Sequence, residues 1–289
     1  MAEFGSNEKK LSAGLYVVAT PIGNLGDITQ RARDILARAD VIACEDTRVT
    51  AKLMTAFLLK KQLVPYHEHN GALQRPKLLE RIREGGSVAL VSDAGTPLIS
   101  DPGYKLVEEA QAESLKVVAI PGPCALVTAL SIAGLPTNKF TFLGFPPNKK
   151  KARQDWFKAE KNNTATLVFY ESAKRLPDSL ADAASVFGSR NAAICRELTK
   201  KFEEVVRGNL NDLTARYKEH GPPKGEIVIV IEAATKLAKD DVSSSVELDK
   251  ALTLALEHMS VKSAVSFVSE LLKLKRKQVY NRALELSED

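Results

Sequence analysis

Short apolar runs alternate with stretches of helical period along most of this chain, and no other feature narrows its fold as far. Residues 15–19, 41–44, 88–91 and 117–120 are apolar runs of strand length. Between the first two, Ile28, Ala32, Ile35, Leu36 and Ala39 recur at helical spacing, and further helices are expected around 75–83 and 104–112. Strands joined through helices pair in parallel, which predicts an α/β fold with helices on both faces of a mainly parallel sheet.

Residues 144–153, GFPPNKKKAR, combine chain breakers with a charge run and mark the best domain boundary. Beyond it, strands at 166–170, 192–195, 203–207 and 227–231, with helices near 174–187 and 211–217, describe a second α/β or α+β domain. Serines at 243–245 and their charged neighbours read as a linker, followed by three short helices at 246–258, 261–272 and 276–286. The expected domains are therefore 14–145, 146–235 and a helical extension, 246–289. Residues 1–13 are expected to be a disordered extension or an expression remnant, since MAEFGSNEKK lacks the apolar core of a secretory signal.

Composition adds limits. The 289 residues suffice for two cores. Hydrophobic and charged contents of 44% and 27% are those of a soluble globular protein, and the net charge of +5 suits an anionic partner without requiring one. Residues 117–138 carry no charge over about a membrane span's length, but Pro121, Gly122 and Pro123 split them into a strand and a buried helix at 124–133. No membrane partner is expected. Cys44, Cys124 and Cys195 lie far apart without metal-ligand spacing, which favours a reducing cytoplasm and no metal. His67 and His69, in YHEHN, read as a polar loop for the same reason.

Three strand exits are rich in glycine and proline. VSDAGTPLISDPG (91–103) follows one apolar run, with Leu98 and Ile99 expected to anchor it to the core. Gly95 lets backbone approach a ligand. Asp101 before Pro102 reads as a helix N-cap, whereas Asp93 is equally an Asx-turn or a ligand contact. VVATPIGNLGD (17–27) and AIPGPCALVTAL (119–130) leave two others, and the three suggest one crevice at the carboxyl ends of the strands. GxGxxG and GxxxxGK[ST] are both absent, so dinucleotide and nucleoside-triphosphate cradles are disfavoured. The spacing alone names no ligand.

GLYVVATPIGNLGDIT, CEDTRVT, LVSDAGTPLISDPG, IPGPCALVTALSIAGLP, FYESAKRL and RELTKKFEE occur in this order. Together they closely resemble the ribosomal RNA small subunit methyltransferase I family, within the tetrapyrrole-methylase-like S-adenosylmethionine enzymes. The resemblance extends to KRKQVYNRALEL, similar to that family's helix-turn-helix-like C-terminal extension. It implies a two-domain, non-Rossmann α/β fold with S-adenosylmethionine between the domains. It also implies 2′-O-methylation of a cytidine in the decoding region of small-subunit rRNA, on naked RNA or the assembled subunit, by a homodimer. Carried over by position, Pro21, Asp93, Ala94, Gly95, Thr96, Cys124, Ala125, Tyr170 and Leu198 would hold the cofactor, with Tyr170 at the adenine. The second loop is longer than the GDPxxxG form of the tetrapyrrole enzymes.

A 2′-hydroxyl is a weak nucleophile whose proton needs an acceptor. Glu45, Asp46 and Glu197 are the favoured catalytic candidates among a set that includes Glu171 and Lys200, although Asp46–Arg48 and Glu197–Lys200 also read as plain ion pairs. Two basic clusters, Lys149, Lys150, Lys151 and Arg153, and Lys275, Arg276 and Lys277, are expected to meet RNA phosphates. A methylase of a small tetrapyrrole and a non-catalytic nucleic-acid-binding protein are the alternatives.

Overall fold

The computed structural model describes residues 10–234, 243–272 and 274–286. The chain divides into two compact units after Ala233.

The first unit contains two five-stranded sheets. In the first, β1 (Gly14–Val18), β2 (Val41–Cys44), β3 (Leu63–Pro65), β4 (Ser87–Val91) and β5 (Val117–Ile120) alternate with α1 (Gln30–Arg38), α2 (Thr47–Ala56), α3 (Gly71–Arg83), α4 (Tyr104–Ala112) and α5 (Ala125–Ala133). The spatial order is β3-β2-β4-β1-β5, parallel throughout. Tyr16, Val18, Ile42, Cys44 and Val91 pack with Leu36 and Met54 on one face. Leu15, Val41, Ala43, Val88 and Leu90 meet Leu79, Ile82 and Leu106 on the other. Cover on both faces is why these strands read as unbroken apolar runs.

The second sheet comprises β6 (Phe140–Phe142), β7 (Thr166–Ser172), β8 (Asn191–Arg196), β9 (Glu204–Asn209) and β10 (Glu226–Ile231), in the order β6-β7-β10-β8-β9. Only β6 and β7 are parallel. Leu167, Phe169, Ile194 and Ile229 point to one face, packed against Phe157, Leu180 and Leu213. These last three come from α6 (Lys150–Ala159), α7 (Leu176–Phe187) and α8 (Leu210–His220). Val168, Ala193, Cys195, Val228 and Val230 point the other way, onto Leu126, Ala129, Leu130 and Ala133 of α5.

The expected limit between residues 145 and 146 therefore cuts through a sheet. β6 pairs with β7 through Phe140↔Thr166 and Phe142↔Val168, and α5 already packs on the second sheet. The breakers at 144–149 make only the turn into α6. At the other end, residues 1–9 lie outside the described residues, and Leu11, expected in a disordered extension, is buried in the first sheet's core. The Tyr16 hydroxyl donates to the Ser12 carbonyl at 2.8 Å, so the ordered chain starts before Gly14.

In the second unit, α9 (Ser243–Leu256), α10 (Val261–Leu272) and α11 (Arg276–Glu285) close around Leu248, Leu252, Val265, Val268, Val279 and Ala283. Residues 243–245, expected as linker, open α9 instead. The Arg282 guanidinium clamps α11 to α9 through Asp249 at 2.7 Å. Among the described residues no helix is long and apolar enough to cross a membrane.

Candidate active site

Because β4, β1 and β5 are adjacent, the loops leaving their carboxyl ends are neighbours. They are stitched together by main-chain bonds. The Thr20 N–H donates to the Gly95 carbonyl at 2.9 Å, the Gly95 N–H returns a bond at 3.1 Å, and the Thr96 hydroxyl donates to the Pro123 carbonyl at 3.0 Å. Gly95 sits at φ 81°, where a Cβ would also press on Ile22 Cγ2 at 3.3 Å. Further along, Leu98 (φ 73°) and Ser100 (φ 64°) take left-handed conformations uncommon for side-chain-bearing residues. Leu98 packs on the first sheet's core and holds this turn. Ile99 was expected to anchor it too, but it is 37% exposed and lines the cavity beside the loop.

That cavity, about 450 Å³, lies between the three loops and the end of the second sheet. Asp93, Ala94, Gly95, Thr96, Cys124 and Ala125 line it from the first side, and Tyr170 and Leu198 from the second. Pro21 does not: it is buried, and its neighbour Ile22 supplies the wall. Tyr170 is braced edge-on by Phe142 and Phe145, with ring centroids 4.9 and 5.4 Å away. Burial first, then Cys124 and Asp101, pushes its phenol up to about 12, with the Leu126 backbone pulling the other way.

The structure separates the carboxylate candidates. Asp46 caps α2, accepting from the Arg48 N–H at 2.8 Å, and its carboxylate also holds the Arg48 guanidinium, lowering its pKa to about 2. Its contribution to the site is its own N–H, which donates to Asp93 Oδ1 at 3.0 Å. Glu197 accepts from the Glu226 N–H at 3.0 Å and Lys200 Nζ at 2.9 Å; these partners hold its carboxyl below the usual range. Lys200 in turn pairs with Glu226 at 3.1 Å. Glu171 lines the cavity, but its buried carboxylate is committed to Ser179, Arg175 and the Ser172 N–H. Glu45 stands apart, in a second cavity with His67, Glu68 and His69. Its carboxyl is raised by burial and then by Asp93, with His67 opposing.

Asp101 is another residue that the sequence misassigned. The N-cap of α4 is Gly103 at φ 133°, not Asp101. Asp101 instead lines both cavities. Its carboxyl is pushed up to about 6 by burial, then Glu45, with Asp93 adding and the Ser92 hydroxyl opposing. The Asp-Pro pair was the misleading signal. The positive φ values at Leu98 and Ser100, just before it, leave no trace in the sequence.

Of the basic positions, Lys149, Lys150 and Lys151 are exposed, as are Lys275, Arg276 and Lys277 at the start of α11. Arg153 is a correction: its side chain is 5% exposed and paired with Asp182 at 2.7 Å, so it braces α6 on α7 and has no reach to a phosphate. Among the described residues no group of three or more His, Cys, Asp or Glu is placed to hold a metal ion.

The two-sheet unit whose loop ends share this cavity matches a family of methylases. Residues 14–214 match the family model described as Tetrapyrrole (Corrin/Porphyrin) Methylases. The fold is that of the methyltransferase CobJ (TM-score 0.58, 18% identity, 77% of this chain and 95% of that one) and of diphthine synthase (0.56, 16%, 75% and 89%). Residues 242–287 match the RsmI C-terminal HTH domain. Proteins called ribosomal RNA small subunit methyltransferase I from Mesorhizobium japonicum and Escherichia coli O157:H7 are each 44% identical, covering 97% and 94% of this chain and 94% of each relative. The chain belongs to the ribosomal RNA small subunit methyltransferase I family.

Methyltransferases of this family use S-adenosylmethionine, and the first cavity fits it. Its size is that of a small-molecule site. Ile22, Leu198, Val228 and Tyr170 give apolar walls for a nucleoside, and the backbone at Gly95 can be approached closely. The Asp93 and Asp101 carboxylates suit the positive sulfur and amine.

Proposed function

We propose that this protein transfers the methyl group of S-adenosylmethionine to the 2′-hydroxyl of a cytidine ribose in the decoding region of small-subunit rRNA, acting in the cytoplasm as a homodimer. The observation that carries the reading is the convergence of Asp93–Thr96, Cys124, Ala125, Tyr170 and Leu198 on one cavity, in a chain whose relatives are named for methylation of small-subunit ribosomal RNA. The cofactor supplies a methyl carbon already activated by positive sulfur. The protein's part is positioning: fixed loops hold the donor while the acceptor oxygen is brought close and in line. Asp93, Ala94, Gly95 and Thr96 would grip it largely through main-chain groups, Cys124 and Ala125 would flank it at the start of α5, and Tyr170 would meet the adenine. Lys149, Lys150 and Lys151 in the first unit, and Lys275, Arg276 and Lys277 in the second, supply positive charge for phosphates.

The test is transfer of radiolabelled methyl to assembled small subunits, naked 16S rRNA and a porphyrinogen, followed by mapping of the modified nucleotide. Label on a cytidine ribose supports the reading. Label on the porphyrinogen alone, or on no substrate despite bound cofactor, overturns it.

A further inference from the structure

The strand order β3-β2-β4-β1-β5 sets two clusters of loops side by side. The exits of β4, β1 and β5 help to wall the cofactor cavity. Those of β3, β2 and β4 wall a second cavity of about 500 Å³, lined by Glu45 after β2 and by His67, Glu68 and His69 after β3. Ser100 and Asp101, after β4, line both cavities, so the β4 exit is their common wall. The Asp46 N–H, donating to Asp93 Oδ1 at 3.0 Å, ties the β2 exit to that wall. A hydroxyl that must meet a methyl carbon held in the first cavity needs its nucleotide seated alongside, and the second cavity has the size for one.

Two polar groups on this second lining have no protein partner. The Glu45 carboxylate is half-buried and makes no hydrogen bond or ion pair with any described residue. His67 Nδ1 is buried without a hydrogen-bond partner. Buried polar groups are normally paired, so an accepting carboxylate beside an unpaired imidazole marks a place for a polar ligand. Asp46, Glu171 and Glu197 differ in this respect, each being committed to donors of its own. Glu68 and His69 are exposed, which leaves Glu45 and His67 as the groups that a seated ligand would shield from water.

We propose that the second cavity receives the base of the acceptor nucleotide, and that the Glu45 carboxylate selects cytosine over uracil by accepting from the exocyclic amine. The proposal rests on the methyl-transfer reading above and adds the acceptor's seat to it. With Glu45, Glu68 and Asp101 on its walls the cavity repels phosphate, so it is the base, unstacked from its strand, that enters. A pyrimidine offers ring nitrogen and keto oxygen to His67, and cytosine adds an amine that donates to Glu45. Carboxylates pair with cytosine in this way wherever its amine is read. Uracil turns a keto oxygen to the same carboxylate, which sets two acceptors face to face and leaves both unpaired. Asp101 stays with the cofactor on the common wall, and Glu45, outside the first cavity, is free for the acceptor.

The test measures kcat/KM on small subunits reconstituted with 16S rRNA that carries either cytidine or uridine at the methylated position. Wild type is expected to favour cytidine by roughly 10–100-fold. A glutamine amide can accept from the amine of cytosine or donate to the keto oxygen of uracil, so Glu45→Gln should bring the cytidine-to-uridine ratio to within about threefold of one. Glu45→Ala removes the acceptor altogether and should also level the ratio, at lower rates on both substrates; it serves if the glutamine variant does not fold. Calorimetry should give every folded variant the wild-type cofactor dissociation constant, since Glu45 does not line the first cavity. A wild type indifferent to the base overturns the proposal without any variant. So does a ratio that survives in Glu45→Gln while both rates fall together, which would make Glu45 a proton acceptor or a structural group, and so does cofactor affinity lost in step with rate. A wild type inert on every rRNA substrate overturns the functional reading and the base seat with it; an active wild type whose preference ignores Glu45 overturns the seat alone.

Discussion

Replacing Asp182 by alanine tests the reassignment of Arg153 from RNA contact to internal brace. Each side chain of the pair is 5% exposed. Two nitrogens of Arg153 reach the same carboxylate oxygen, at 2.7 and 2.8 Å, Gln154 donates to the other at 2.9 Å, and a third Arg153 nitrogen reaches the Asn148 carbonyl at 3.2 Å. Asp182→Ala strands a buried guanidinium on that one carbonyl, at a cost of about 3–5 kcal/mol. Against a total stability of about 5–15 kcal/mol this is large. At about 2–4 °C per kcal/mol for a unit of this size, Tm should fall by roughly 6–20 °C. Arg153→Met with Asp182→Leu should recover most of the loss, since it removes both buried charges together. Trp156, the single tryptophan, lies edge-on to Phe157 and Phe169 and reports unfolding of this face by fluorescence. A loss below 1 kcal/mol for Asp182→Ala, or a double variant as unstable as the single one, refutes the reasoning. So does an Arg153→Met protein of wild-type stability with weakened rRNA binding.

Other outcomes follow from the same geometry. Tyr170→Ala removes the aromatic wall of the cofactor cavity and should weaken cofactor binding by about 1–3 kcal/mol, read by calorimetry. Glutamate at Lys275, Arg276 and Lys277 should flatten the salt dependence of rRNA binding by up to about 2–3 in the log–log slope, with cofactor binding untouched. Gly225 sits at φ 105°, where a Cβ would lie 2.5 Å from the Glu197 carboxylate, so Gly225→Ala should cost about 1–3 kcal/mol in urea unfolding. Asp101→Asn should raise Tm at pH 7.5 and leave it unchanged at pH 3. The wild-type carboxyl rises from 3.8 to about 6 on folding, so the fold loses stability as pH climbs through that window, and an amide cannot.

How much was legible beforehand varies by element. Val41–Cys44, Tyr104–Ala112, Val117–Ile120 and Val261–Leu272 have the bounds that their hydrophobic pattern predicts. Thr47–Ala56 buries only Thr50 and Met54, and Leu63–Pro65 and Phe140–Phe142 are three residues each, too little signal for periodicity to register.

The sequence by itself determined the alternation of strand and helix and the glycine- and proline-bearing exits, because each is written in local order, and its motifs carried the resemblance that implied the family and the cofactor. Only the tertiary structure decided that α5 belongs on the second sheet, that Arg153 faces Asp182, and that Asp101 stands between two cavities beside Glu45 and Asp93. These are matters of burial and of proximity between residues that, Asp93 and Asp101 aside, lie tens of positions apart. A carboxyl's basicity is set by which charges and how much water surround it, and no spacing along the chain encodes that.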